Sequence, residues 1–187
     1  MASARDVVGA AMILIVGMGS SALATRGSEP DDPGPAMTVG RIRTEDSGIA
    51  RAIALATEWS DTFRRLVETI ERTDGMVWIV AGRCHGRPAC LLIYLEVAGP
   101  HRMLRIQVDP RRTEERLMES LGHELQHAIE VLGTSARSGA AMYHFFDSQA
   151  GGYRIGGRFE TYEAVQAGDA VGREVARARR LTSNPRR

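Results

Sequence analysis

Residues 104–133 read LRIQVDPRRTEERLMESLGHELQHAIEVLG, and their apolar periodicity changes partway along. Leu104–Val108 alternates apolar with polar side chains, which predicts a half-buried β-strand. Asp109 and the proline after it end that strand, and apolar residues then recur at helical spacing. Asp109 or Thr113 is suited to cap the start of this helix, and Gly133 to follow its end. We therefore expect a strand that leads into one long helix.

More helices and strands are predicted before this segment. Ser47–Arg72 has helical periodicity, as one helix or as two with a break near Trp59 and Ser60. Met76–Ala81 and Leu91–Val97 are short and rich in apolar or β-branched residues. They flank a loop as the two strands of a hairpin would.

The chain after Gly133 is predicted to form a loose segment and then one helix. The loose segment has a short apolar island, Met142–Phe146, and a glycine-rich stretch. A last helix is expected over residues 158–180. The predicted fold is α+β, with an N-terminal helix, a mainly antiparallel sheet of three or more strands, a helix packed on that sheet and a C-terminal helix.

The composition suits one domain and excludes several classes of chemistry. The chain has 187 residues, of which 43% are hydrophobic and 25% charged, as in a folded soluble domain. A net charge of +1 gives no argument for nucleic acid or for an anionic membrane surface as a partner. All 24 basic residues are arginine, which excludes a lysine Schiff base, a P-loop lysine and a lysine general base.

The N-terminus has the pattern of a secretory signal peptide over residues 1–24. A charged start with Arg5 precedes the apolar run Val7–Met18, and small residues then predict cleavage after Ala24. An uncleaved N-terminal anchor is the alternative, although the run is shorter than the ~20 residues that a membrane span needs. We therefore expect a secreted or periplasmic protein.

Composition also predicts the limits of the folded part. Residues 25–43 are rich in proline, glycine and aspartate, which is typical of a disordered linker. Residues 44–180 are expected to form a single domain, and residues 181–187 a basic tail.

The two cysteines, Cys84 and Cys90, lie in the loop RCHGRPAC between two predicted strands. In an oxidising compartment a disulfide between them is the expected state. A metal site that also uses His85 is the alternative, but a second close pair of ligands is missing from that cluster.

The long helix carries a possible metal site. His123 and His127 are four residues apart, so their imidazoles lie on one face and can bind the same ion, for which Zn²⁺ is the expected identity. Glu124 follows the first histidine, from where it can take a proton from metal-activated water. This is the HExxH pattern.

A plain solvated helix face is the alternative interpretation of the two histidines. They project opposite to an apolar stripe that is expected to pack on the sheet. The stripe consists of Leu117, Leu121, Leu125, Ala128 and Leu132.

A catalytic zinc needs a third protein ligand, and the candidates are Glu130, His144, Glu160 and Glu163. Glu130 shares one straight helix with both histidines, so we expect it to orient a histidine rather than to bind the metal. Glu160 is favoured, because it falls on an apolar stripe of the predicted last helix, where a carboxylate is costly unless it is paired or bound to metal. Glu163 is the second choice, with a salt bridge to an arginine as its alternative role. The stripe consists of Ala164, Ala167, Val171, Val175 and Ala178.

A helix with HExxH followed by a glutamate on a later element resembles the zincin metallopeptidases, in particular the gluzincin group. The resemblance covers about half the chain, from Met76 to the last helix. It implies a zincin-like domain, a zinc held by the two histidines and Glu160, and Glu124 as general base. It also implies an edge strand along the substrate cleft, either Met103–Val108 or Leu91–Val97. The chain departs from the family in lacking a large second subdomain and a carboxylate that braces His123.

The predicted function is zinc-dependent hydrolysis of a peptide or protein substrate. Tyr153 and His144 are the favoured donors to a developing oxyanion, although Tyr143 and Tyr162 are also candidates. An exported, non-catalytic binding or scaffold protein with a structural or vestigial zinc site is the alternative. A cell-wall amidase is a third interpretation, and no pattern predicts the oligomeric state.

Overall fold

The computed structural model describes residues 37–148, 153–155 and 158–183, and these form five helices and seven strands. The predicted α+β class is confirmed. In chain order the elements are β1 (Met37–Val39), β2 (Ile42–Thr44), α1 (Ser47–Trp59), α2 (Asp61–Glu71), β3 (Gly75–Ala81), β4 (Ala89–Ala98), β5 (His101–Val108), α3 (Glu114–Leu132), α4 (Gly139–Ser148), β6 (Tyr153–Ile155), β7 (Arg158–Glu160) and α5 (Tyr162–Ser183).

The main sheet has five strands in the order β1-β2-β3-β5-β4. β2, β3 and β5 are parallel, whereas β1 and β4 pair antiparallel with their neighbours. The predicted hairpin of β3 and β4 is therefore wrong, and so is the mainly antiparallel sheet. β4 instead forms a hairpin with β5 through a tight turn, in which Gly99 adopts a φ of 58° that few other residues tolerate. β5 then lies between β3 and β4.

One hydrophobic core joins the sheet to the helices. Val77 and Ile79 of β3 and Leu104 and Ile106 of β5 are buried and belong to one cluster with the apolar side chains of α1, α2, α3 and α5. The alternation that predicted β5 is therefore confirmed. Within the described residues, no helix has the length and apolar content needed to cross a membrane.

The break near Trp59 and Ser60 is also observed. Ser60 adopts an extended conformation between α1 and α2, and its side chain accepts a hydrogen bond from the Phe63 N–H. Its hydroxyl donates in turn to Glu174 of α5, which also accepts from the backbone N–H of Thr62. The N-terminus of α2 is thus tied to the last helix.

The predicted limits of the domain need correction. The linker prediction is wrong for residues 37–43, because Ile42 is buried and pairs with Val77 of β3, so this segment belongs to the sheet. At the other end, α5 extends to Ser183 and so includes the first residues of the predicted basic tail. The predicted signal peptide, residues 25–36 and residues 184–187 lie outside the described residues.

The segment that was expected to be loose contains a helix and part of a strand pair. α4 covers the apolar island, and Met142 and Phe146, which are four residues apart, are both buried. An apolar pair at this spacing forms one face of a short helix. The small antiparallel pair of β6 and β7 follows before α5 begins at Tyr162, not at residue 158 as predicted.

α3 and α5 approach each other closely because glycines lie at their interface. A Cβ added to Gly122 of α3 would lie 2.7 Å from the Cγ2 atom of Val171 in α5, and Val171 is fully buried. A Cβ added to Gly168 of α5 would lie 3.1 Å from that of His123. The close approach positions the face of α3 that carries the histidines.

We expect Gly122→Ala to lower the free energy of unfolding by about 1–3 kcal/mol relative to Gly172→Ala. Both glycines lie within long helices, so both substitutions gain about 1 kcal/mol of helix propensity. The new methyl group at residue 172 meets only the long side chain of Glu119, which can move, whereas that at residue 122 meets the stiff Val171. Urea denaturation of the two variants measures the difference, and equal stabilities would contradict this packing.

Candidate metal site

Three side chains from two elements meet beside the end of the sheet. His123 and His127 of α3 and Glu160 of β7 each offer a ligand atom, and these atoms all lie within 4.8 Å of one another. The Nε2 atoms of His123 and His127 are 3.1 and 4.0 Å from the Oε2 of Glu160. With metal–ligand bonds of about 2.0–2.1 Å, a tetrahedral site has ligand atoms about 3.3 Å apart. The group can therefore hold a metal ion.

The Oε2 atom of Glu160 supplies an independent test of this fit. Glu160 is only 4% exposed, and its Oε2 is fully buried with no hydrogen-bond partner among the described residues. The nearby Nε2 of His123 forms an ion-pair contact with it rather than a well-directed hydrogen bond. A buried carboxylate oxygen without a donor is costly, and a cation between the three ligand atoms removes that cost.

The charges of this group act on each other. Burial alone would raise the pKa of Glu160, but His123 and Arg87 lower it to about 2. Burial would likewise lower the pKa of His123, yet the nearby carboxylates of Glu160 and Glu124 outweigh it and raise that pKa. Because a histidine binds metal in its neutral form, a metal ion must displace a proton from this cluster when His123 is charged.

The solvated-face alternative for the histidines is wrong. His127 is 5% exposed, and its ring lies edge-on to that of Phe146 in α4 at a centroid distance of 5.5 Å. The face of α3 that carries the histidines is therefore largely covered by neighbouring elements, and only His123, with 20% of its side chain exposed, is partly open to solvent.

Glu160 reaches the site from a different element than predicted. It ends β7, and Thr161 separates it from α5. The side chain of Thr161 accepts a hydrogen bond from the Ala164 N–H, as an N-cap residue does, so the helix begins after it. The stripe Ala164, Ala167, Val171 and Val175 is buried as expected, but Glu160 precedes it in extended backbone.

Glu130 lies behind the second histidine. Its Oε2 is 3.0 Å from the Nδ1 of His127, and its Oε1 accepts a hydrogen bond of 2.7 Å from the Thr161 hydroxyl. A carboxylate at Nδ1 favours the tautomer that carries a proton there and leaves Nε2 free to bind a metal. Glu130 thus fixes one histidine and also the residue next to Glu160.

Glu124 is held between α3 and the edge strand β4. It is 7% exposed, and its Oε2 accepts a hydrogen bond of 2.6 Å from the Leu91 N–H. Burial raises the pKa of the Glu124 carboxyl, although the two histidines and the Leu91 N–H act in the opposite direction. A carboxyl group with a raised pKa beside a metal site is suited to proton transfer.

A cavity of about 290 Å³ opens onto these groups. β4 borders it and is an edge strand of the sheet, whereas Met103–Val108 in β5 is paired on both sides. Of the two candidate edge strands, only Leu91–Val97 therefore lies at an edge. The β4–β5 pairing is irregular between Leu91 and Leu95, beside the cavity. The apolar wall consists of Leu91, Leu92, Ile93, Tyr143, Phe146 and Phe159.

Several other predicted site residues lie elsewhere. His144 is exposed on α4 and does not line the cavity, because its neighbour Tyr143 projects there instead. Glu163 is exposed in the first turn of α5 and is not part of the three-ligand group. Tyr162 is 65% exposed. The side chain of Tyr153 lies outside the described part of the chain.

The cysteine loop contributes a residue that sequence reasoning missed. Cys84 and Cys90 lie at disulfide distance with their Cα atoms 5.8 Å apart, which agrees with the predicted pairing and uses both cysteines. Between them, Arg87 forms an ion pair with the Oε1 of Glu160. An arginine in a polar loop carries no sequence signal for this contact. Thr161, by contrast, has the signature of a helix N-cap.

Comparison of the chain with protein-family models, with curated proteins and with solved structures gives no match. The chemistry of the site is therefore inferred from its own geometry.

We expect Glu130→Ala to weaken metal binding, with zinc as the probe, by roughly 10–100-fold, because His127 loses the carboxylate that orients its ring. Glu130→Gln should lose less, since its amide oxygen can still accept from Nδ1. Glu163→Ala removes an exposed carboxylate from the first turn of α5 and is the matched control, with unchanged affinity. Titration against a zinc chelator measures all three, and equal affinities of the Glu130→Ala protein and wild type would contradict this role.

Proposed function

We propose that the protein is an exported zinc-dependent hydrolase of peptide bonds. One observation carries the proposal: a buried carboxylate oxygen without a donor faces two histidine nitrogens, and Glu124 stands beside them at the wall of an open cavity. The expected export rests on the N-terminal sequence pattern, and a paired Cys84 and Cys90 agree with an oxidising compartment.

Zinc fits the donor set. Two imidazoles and one carboxylate are the protein ligands of several catalytic zinc sites, which keep a further position for water or substrate. When bound, zinc supplies Lewis-acid polarisation of a carbonyl and lowers the pKa of water. His123, His127 and Glu160 would hold it, and Glu130 keeps the ring of His127 aimed at the site.

Glu124 is the proposed general base. Its Oε2 is fixed by the Leu91 N–H, which leaves Oε1 to accept a proton from the attacking water. The raised pKa of this carboxyl favours its holding that proton and then passing it to the leaving amine. The hydrogen bond of 2.6 Å from the Leu91 N–H of β4 holds the Glu124 carboxylate in place, and this needs no second side chain.

The surroundings of the site suit an extended peptide. β4 is an edge strand, so those of its outward N–H and C=O groups that no other residue engages, unlike the Leu91 N–H, can pair with a substrate backbone. The aromatic side chains of Tyr143, Phe146 and Phe159 provide an apolar surface for a substrate side chain beside the scissile bond. The HExxH pattern of α3 resembles that of the zincin metallopeptidases, and this resemblance favours a peptide or protein substrate.

The decisive variants are Glu124→Gln and Glu160→Gln in the purified full-length chain. We expect the first to retain one zinc and to lose cleavage of a synthetic peptide mixture by roughly 100- to 10,000-fold, because the base is gone. The second should lose zinc, because a ligand is gone. Zinc content and mass spectrometry of the peptides give the two readouts.

Wild-type rates in Glu124→Gln would exclude this mechanism. Zinc that stays bound to a wild-type protein without any cleavage would instead favour the non-catalytic scaffold. The hydrogen bond that engages one oxygen of Glu124 in the fold is the feature that favours this alternative.

A further inference from the structure

The two oxygens of Glu160 have different partners. Oε1 forms the ion pair with Nη1 of Arg87, whereas Oε2 has no hydrogen-bond donor among the described residues and faces the Nε2 atoms of His123 and His127. Oε1 is therefore already paired with a cation, whereas Oε2 faces the two histidine nitrogens of the candidate metal site.

Arg87 lies in a tight turn between Cys84 and Cys90. His85 and Gly86 adopt φ values of 48° and 88°, and the Arg87 N–H donates to the Cys84 carbonyl at 3.0 Å, which makes a tight turn. The Cys84–Cys90 pair closes the loop around this turn. A guanidinium group stays charged at any pH the protein meets, so its contact with Oε1 does not depend on titration.

A carboxylate can bind a metal through one oxygen or through both. A catalytic zinc has three protein ligands and a remaining position for water or substrate. If both oxygens of Glu160 bound the ion, the second would compete for that position. The ion pair with Arg87 opposes this, because Oε1 would have to leave a charged donor.

We propose that Arg87 is a positioning residue that keeps Glu160 a one-oxygen ligand and so preserves an open coordination position on the metal. This inference rests on the proposed function, since an open position matters only where water or substrate must reach the ion. Arg87 thereby gives the cysteine loop a part in the site, whereas the proposed mechanism uses only Leu91 of the adjoining strand β4.

The test replaces zinc with cobalt(II) in the full-length chain and records the visible absorption spectrum, whose intensity falls as the coordination number rises. We expect strong four-coordinate absorption in wild type. Arg87→Met should give severalfold weaker bands, because the freed Oε1 adds a ligand. Arg83→Met removes an exposed arginine from the same loop and is the matched control, with an unchanged spectrum.

Arg87→Gln, which is polar and closer in shape, is measured in the same way if Arg87→Met does not fold. Weaker bands in an Arg87 variant with an unchanged Arg83→Met support the inference. A spectrum like that of wild type in a folded Arg87 variant overturns it and leaves the proposed function intact. If wild type binds no cobalt or zinc, the proposed function itself fails.

Discussion

The side chain of Glu160 is a carboxylate buried among two histidines and an arginine, and the rest of the site is organised around its charge. Burial of an ionised group is costly unless cations and donors surround it. Arg87 meets this need at Oε1, and a raised pKa allows His123 to contribute positive charge near Oε2. A metal ion at Oε2 supplies more charge than a protonated histidine does. The arrangement is therefore suited to exchange protons for a metal.

Separate parts of the fold fix the groups around this carboxylate. α3 supplies both histidines and Glu124, and its close approach to α5 depends on Gly122. Glu130 connects His127 to Thr161, which caps α5 and adjoins Glu160. The hydrogen bond from Leu91 to Glu124 extends the network to the edge of the sheet. These hydrogen bonds fix the side chains of His127 and Glu124 through partners that belong to a helix or a strand of the fold.

The residues of the possible metal site could be predicted from the sequence more readily than the topology could. The spacing of His123 and His127 fixes their common face on any helix, and this required no tertiary information. Glu160 could be predicted because a buried carboxylate is costly unless a cation or donor compensates it, and that cost is the same in a helix and in a strand. The predicted start of the last helix at residue 158 is too early, because Thr161 caps α5 and the helix begins after it.

The order of the strands and the ion pair of Arg87 could not be predicted in this way. Strands β3 and β4 each have the pattern of a strand, but their periodicity does not show that β5 lies between them. The contact of Arg87 depends on the conformation of the cysteine loop and on where β7 passes. Such long-range contacts leave no local pattern in the sequence.

The most direct test of the metal site is X-ray diffraction at the zinc absorption edge from crystals of the zinc-saturated full-length chain. We expect one anomalous peak bonded to the Nε2 atoms of His123 and His127 and to Oε2 of Glu160, whereas a peak on other residues, or none at these three atoms, would contradict it.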